Sequence, residues 1–264
     1  MSLWKLIARN VGGVTGKIGE KIDPKHLTQD SGLPLGGRIG GYMKIGNAAF
    51  LTASLFGSFI TKPETGEVKI EAISRVRLDG WPGNVAVHRY YLAKGDDSGK
   101  ERYIQVLSRN GQPEEVIYFT SLVRLYPDDS NTIKYYSGEL GSDGIGGTEW
   151  VFSRDDLQGI LSGEQFQSLP ADQQEIVWQR AVGEGEHFLP IHGVENRIDD
   201  SVGDKGIHQQ VWCMPHIRQL SEGVFEHLFV SLEVMDSHDG KREQEVHVDF
   251  MVGVPLSMSD IQIV

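Results

Sequence analysis

The sequence predicts an α+β fold: an antiparallel β-rich meander with an amphipathic N-terminal helix and a short two-helix insert near residues 153–183. Three observations lead to this prediction. Apolar residues recur at helical spacing over residues 1–22, apolar and polar residues alternate from residue 68 onwards, and helix-start signals gather between residues 153 and 172. A chain of 264 residues suits one large domain or two modest ones.

The first segment, residues 1–22, carries an apolar stripe at steps of three and four, formed by Leu3, Ile7, Val11, Val14, Ile18 and Ile22. This spacing predicts one face of a helix. Four glycines in the segment each cost about 1 kcal/mol in a helix interior, so this helix needs a surface to pack on. That surface is the protein's own core, a protein partner, or a membrane with Trp4 at the interface. The candidate interaction residues are Leu3, Trp4, Ile7, Val11, Val14 and Ile18.

Residues 23–140 predict a mainly antiparallel β lobe. Apolar side chains alternate with charged ones from Val68 to Leu78, as in a half-buried strand. Two further apolar runs, residues 84–93 and 102–107, flank a polar Gly-containing loop and predict a hairpin. Residues 116–125 add another strand.

Residues 141–264 predict a second, α+β lobe, because a run of glycines after Gly138 marks a hinge; a single continuous domain is the alternative. Ser153 with Asp156 resembles a capping box and predicts a short helix that ends near Gly163. A second helix is predicted from Ser168 to Gly183.

The lobe ends in a predicted antiparallel hairpin over residues 226–252. The proposed register pairs Ser237 with Lys241 at the turn, and therefore Val230 with Val248. The same register sets Glu233 against Glu245, a like-charge pair.

Composition limits the function classes. With 25 Lys+Arg against 37 Asp+Glu, the net charge of −12 disfavours a nucleic-acid partner. One cysteine makes no intrachain disulfide, and the opening residues do not resemble a secretory leader, so a cytoplasmic protein is expected, with the inner-membrane periphery as an option. No apolar stretch is long enough to predict a spanning helix.

Candidate metal ligands gather in one region: His187, His192, His208, Cys213 and His216. Imidazole and thiolate are the usual ligands of zinc, but this spacing matches no known zinc module. Core or surface histidines, and a cysteine that packs as a small hydrophobe, are the simpler interpretation. No catalytic motif appears, so we expect no catalytic residue, no cofactor, and no stoichiometric transition metal in protein purified without added metal.

Three segments, residues 1–6, 33–41 and 212–215, make the chain resemble the YjfK-like family of bacterial proteins of unknown function. The resemblance implies no activity and no site residues. It implies gene neighbourhoods with phage-shock-protein-A-like proteins and small membrane proteins, which become candidate partners. The favoured hypothesis is therefore a non-enzymatic cytoplasmic accessory protein linked to a membrane-stress complex, with peripheral membrane contact as an option. The alternative is a metal-dependent enzyme that uses the His/Cys residues of 187–216.

Overall fold

The computed structural model describes residues 30–63, 66–94, 100–237 and 245–264. The predicted N-terminal helix over residues 1–22, with its candidate interaction residues, lies outside these ranges. So does Lys241, the predicted turn partner of Ser237. Among the described residues, no helix has the length and apolar character needed to span a membrane.

The described chain is dominated by twelve strands: β1 Tyr42–Ile45, β2 Glu67–Leu78, β3 Val85–Leu92, β4 Arg102–Arg109, β5 Gln112–Leu125, β6 Glu149–Ser153, β7 Glu175–Arg180, β8 Ile191–Ile198, β9 Gly206–Ser221, β10 Val224–Ser237, β11 Glu245–Pro255 and β12 Ile261–Ile263. Its α-helices are short: α1 Ala48–Leu55, α2 Ser130–Ser137, α3 Arg154–Ile160 and α4 Gly163–Gln167. Two 3₁₀ turns cover Gly141–Asp143 and Met258–Asp260.

Eight of the strands form a closed antiparallel barrel in the order β2–β3–β4–β5–β11–β10–β9–β8, with β8 pairing back onto β2. The predicted α+β class is therefore wrong, because the protein is a β-rich barrel with few helical residues. The four barrel strands from residues 23–140 form one continuous half of the wall, and those from residues 141–264 form the other. The halves meet at two seams, β2 with β8 and β5 with β11.

The remaining strands extend the barrel. β7 pairs with β9 at Gln179 and Arg180, and β6 pairs with β7 as a hairpin. On the other side, β1 pairs with both β2 and the C-terminal β12.

Contacts across the barrel identify the side chains that point inward. β3 and β10 lie four strands apart in either direction around the ring, yet the Arg89 guanidinium lies 5.4 Å from the centre of the Phe229 ring. Only side chains inside the barrel can meet in this way. Since neighbours along a strand alternate, Tyr90 points outward, where its hydroxyl accepts a hydrogen bond from Leu35 N at 3.2 Å.

The outer wall is covered by the segment around Leu35 and by α1. Tyr90, Ile104 and Tyr118 form one buried row across β3, β4 and β5. Phe50 of α1 packs edge-on against Tyr118, with ring centres 5.0 Å apart. The core therefore lies on both faces of the wall.

The prediction of two helices near residues 153–183 is half correct. α3 begins as predicted after Ser153, whose hydroxyl accepts a hydrogen bond from Asp156 N while the Asp156 carboxylate accepts one from Ser153 N. The second predicted helix, Ser168 to Gly183, is wrong, because residues 175–180 form β7. Ile176 and Trp178 are both buried there, and this alternation belongs to a strand.

The C-terminal hairpin is confirmed as β10 with β11, and its apolar residues share one face. The predicted register is wrong by two residues, because Val230 faces Phe250 and not Val248. The observed register sets Glu233 opposite His247. The predicted register would place two like charges opposite each other, whereas the observed register places opposite charges there. This difference in charge pairing favours the observed register.

Gly253 in β11 gives a test of the barrel packing. A Cβ there would lie 2.5 Å from ring atoms of Phe119 and 2.9 Å from Ile117 Cγ2. We predict that Gly253→Ala lowers the free energy of unfolding by about 1–3 kcal/mol, because the wall must shift to admit the methyl group. Urea denaturation measures this change.

Gly159→Ala is the matched control. Gly159 lies in α3 with no atom within 4 Å of an added Cβ, so alanine should leave stability unchanged or raise it by up to about 1 kcal/mol. Equal effects of the two substitutions would contradict the packing described for β11.

Candidate functional site

The barrel interior is built around a buried arginine. Arg89 of β3 is 2% exposed, and its Nη1 lies 2.5 Å from Oε2 of Glu195 on β8, which is fully buried. Its Nε donates to Gln105 Oε1 at 3.2 Å, and the guanidinium lies over the Tyr103 ring at 4.9 Å. Burial lowers the pKa of Arg89, but Glu195 and its neighbours outweigh this and hold the pKa well above its usual value.

Glu195 is surrounded by donors. Besides Arg89, its carboxylate accepts hydrogen bonds from Ser74 Oγ, from Tyr91 Oη at 2.6 Å and from Gln209 Nε2 at 2.8 Å. Burial and then the charge of Glu195 raise the pKa of Tyr91, so the phenol keeps its proton. We call Arg89, Glu195 and these donors the interior network. It satisfies a buried charge pair that would otherwise be costly.

A second group of charges lies nearer one mouth of the barrel. Gln209 links the two groups, because its Nε2 also lies 2.9 Å from Glu233 Oε2. His247 Nε2 lies 3.4 Å from Glu233 Oε2 and 3.5 Å from Asp249 Oδ2. Arg124 donates two hydrogen bonds of 2.6 Å to Asp249, from Nε to Oδ1 and from Nη2 to Oδ2. We call Glu233, His247, Asp249 and Arg124 the mouth cluster.

Opposite charges in the mouth cluster shift each other's pKa values. Burial lowers the pKa of His247, but hydrogen bonds and charges from Asp249 and Glu233 outweigh it and raise the pKa to about 9. Burial raises the pKa of Asp249, but His247 and Arg124 outweigh it and lower the pKa. His247 is therefore an imidazolium between two carboxylates at neutral pH.

Three members of the mouth cluster also have metal-ligating side chains. In the part of the chain that the structure describes, Glu233, His247 and Asp249 are the one group of at least three His, Cys, Asp or Glu residues whose ligand atoms all lie within 4.8 Å of one another. None of the five ligands considered from the sequence belongs to it.

Those five candidates lie on separate parts of the fold. His192 Nδ1 is 2.6 Å from Asp79 Oδ2, and its ring lies 4.8 Å from that of Trp212. His208 on β9 faces Asn196 across the β8–β9 pair, and His187 lies in the loop before β8, beside Gly146.

Cys213 and His216 are both in β9, on opposite faces of the strand. Cys213 points into the barrel, where burial raises its thiol pKa to about 12 and keeps it protonated. His216 points outward and is buried, which lowers its pKa to about 4. A thiolate nucleophile and an imidazole base are thus not brought together here.

Sequence reasoning missed the residues that line the interior: Arg89, Glu195, Glu233, His247 and Asp249. Glu233 and Asp249 occupy the alternate positions between apolar residues, which normally face water. The available signal was the clustering of opposite charges at such positions on neighbouring strands, and the predicted register obscured it.

A different feature lies on the outer surface of α1. Leu51, Leu55 and Phe56 are 56%, 81% and 47% exposed, whereas Phe50 and Ala53 on the opposite side are buried. Leu51 and Leu55 are four residues apart and share one face of the helix. We call Leu51, Leu55 and Phe56 the α1 patch.

The sequence around α1 is basic in an acidic protein, although two carboxylates from other segments lie beside it: Asp260 next to Gly46, and Glu67 opposite Lys44 in the β1–β2 pair. Residues 31–62 contain no Asp or Glu but carry Arg38, Lys44 and Lys62, all exposed. Lys44 precedes the helix in β1, and Lys62 follows it shortly after Phe59.

Comparisons of the chain with protein-family models, with curated proteins and with solved structures found no match. The resemblance to the YjfK-like family stays a prediction.

The interior network predicts a large cost for breaking the buried pair. Arg89→Met leaves Glu195 buried without its counter-charge, so we expect about 3–5 kcal/mol less stability in urea denaturation. Adding Glu195→Gln should recover part of that loss, because the uncompensated charge is then removed.

Arg109→Met provides the control, since the Arg109–Glu114 pair is about one-third exposed and spans 3.1 Å. A change below about 1 kcal/mol is expected there. Similar losses for both arginines, or no recovery in the double variant, would argue against a buried charge pair.

Proposed function

We propose that this protein is a non-enzymatic accessory protein that attaches peripherally to an anionic membrane surface through the α1 patch. The observation that carries the proposal is the exposure of three large apolar side chains: Leu51 and Leu55 on one short helix, and Phe56 directly after it. The membrane face would be the cytoplasmic one, as the composition led us to expect.

Burial of apolar side chains would contribute much of the free energy of this attachment. Full burial of a Leu or Phe side chain stabilises by about 1.5–3 kcal/mol, so partial insertion of three such residues supports reversible binding. α1 has eight residues and is about 12 Å long, so it would lie at the lipid surface.

Charge favours the same orientation. A protein of net charge −12 is repelled by anionic lipid unless it presents a basic face. Arg38, Lys44 and Lys62 are the exposed basic residues of the segment that carries α1, and each one that reaches an anionic surface would contribute about 1 kcal/mol. The acidic remainder is screened beyond a Debye length of about 8–10 Å.

The interior of the barrel supports a non-enzymatic role. Charged and aromatic side chains meet across it, Arg89 with Phe229 and Glu233, as expected for an eight-stranded barrel filled by its own residues. The alternative enzyme would use His187, His192, His208, Cys213 and His216, which lie apart. The partners implied by the resemblance, phage-shock-protein-A-like or small membrane proteins, are consistent with attachment at a membrane.

Leu55→Glu tests the attachment. The most exposed residue of the α1 patch becomes an anion, so the affinity for vesicles of mixed phosphatidylglycerol and phosphatidylcholine should fall at least tenfold. Sedimentation of the full chain with these vesicles measures the affinity. Pure phosphatidylcholine vesicles should bind wild type weakly.

Val202→Glu is the matched control, because Val202 is also an exposed apolar residue, 66% accessible, in the loop between β8 and β9. It should sediment like wild type. Failure of wild type to bind anionic vesicles would contradict the proposal, and concentration-dependent dimers abolished by Leu55→Glu would assign the patch to a second copy of the chain.

A further inference from the structure

The mouth cluster presents three side chains of the types that bind divalent transition metals. Glu233, His247 and Asp249 come from neighbouring strands β10 and β11, and they are 7%, 1% and 2% exposed. One imidazole and two carboxylates leave a fourth position for water, as in open zinc sites.

Two of the three distances between the ligand atoms match the edges of a coordination tetrahedron, and all three lie within 4.8 Å. Zinc bonds of about 2.0–2.2 Å to nitrogen and oxygen set neighbouring ligand atoms about 3.3–3.6 Å apart. His247 Nε2 lies 3.4 Å from Glu233 Oε2 and 3.5 Å from Asp249 Oδ2. Little movement would be needed to place an ion between them.

His247 is placed to serve as the nitrogen ligand. Its ring is almost completely buried, and Nε2 lies within 3.5 Å of an oxygen of each carboxylate. Nδ1 has no hydrogen-bond partner among the described residues, which is unusual for a buried imidazole. Nε2 faces the space between the two carboxylates.

The neighbours of the carboxylates hold them in place. Ser231 Oγ donates to Glu233 Oε1 at 2.9 Å, and Gln209 donates to Oε2. Arg124 fixes Asp249 through both oxygens. Supporting hydrogen bonds of this kind orient the ligands of metal sites.

We propose that Glu233, His247 and Asp249 bind one divalent transition-metal ion, with zinc as the reference ion. Binding displaces the proton from His247 Nε2 to solvent, so the cluster gains one positive charge in total. Glu101 lies 3.6 Å from Arg124, beside the cluster. The inference does not rest on the α1 patch.

The full chain, freed of metal with a chelator, tests the site by titration with Zn²⁺ in an isothermal calorimeter. We expect one ion per chain. Co²⁺ in place of Zn²⁺ should give the visible absorption of a low-symmetry, four-coordinate site. Lack of Zn²⁺ uptake by folded wild type would overturn the proposal.

Variants separate this site from adventitious binding. His247→Gln should weaken Zn²⁺ binding more than 100-fold, since loss of an orienting neighbour alone costs about 10–100-fold. His192→Gln, outside the cluster, should bind like wild type. Glu233→Gln is the second variant should His247→Gln not fold, and folding is checked by circular dichroism. Unchanged uptake by either folded cluster variant would overturn the assignment.

Discussion

The ion pair of Arg89 with Glu195 is the interaction on which the closed barrel depends. Arg89 belongs to the first half of the wall, and Glu195, Gln209 and Glu233 belong to the second. The network therefore joins two halves that are separated in sequence. A buried pair of this kind adds little net stability, but the loss of one partner is costly. We infer that it specifies how the halves meet, because only the closed ring brings every donor to Glu195.

Local features of the fold were predictable from the sequence, whereas its closure was not. The alternation from Val68 to Leu78 and the capping box at Ser153 are short-range patterns, and both predictions held. The seams β2–β8 and β5–β11 join residues more than a hundred positions apart, for which periodicity carries no signal. The helix prediction for residues 175–180 was wrong for a related reason, since a short apolar run fits a helix or a strand equally well.

The sequence analysis did not predict the charged interior, because charged residues that alternate with apolar ones in a strand usually face water. Glu233 and Asp249 alternate with apolar residues, and such positions normally face water. Here the apolar residues next to Glu233 and Asp249 along β10 and β11 point outward under α1 and α2, and the two acidic residues point into the barrel. The two-residue error in register had a further effect, because it separated Glu233 from His247. A register chosen to pair opposite charges would have brought them together.

The most direct test of this account is the exchange of the Arg89 guanidinium protons in a nitrogen-15 NMR spectrum. An arginine enclosed by Glu195, Gln105 and Tyr103 should show guanidinium N–H signals that exchange slowly with water and give nuclear Overhauser contacts to the Phe229 ring. Rapid exchange at neutral pH with no contact to Phe229 would contradict a charge pair sealed inside a closed barrel.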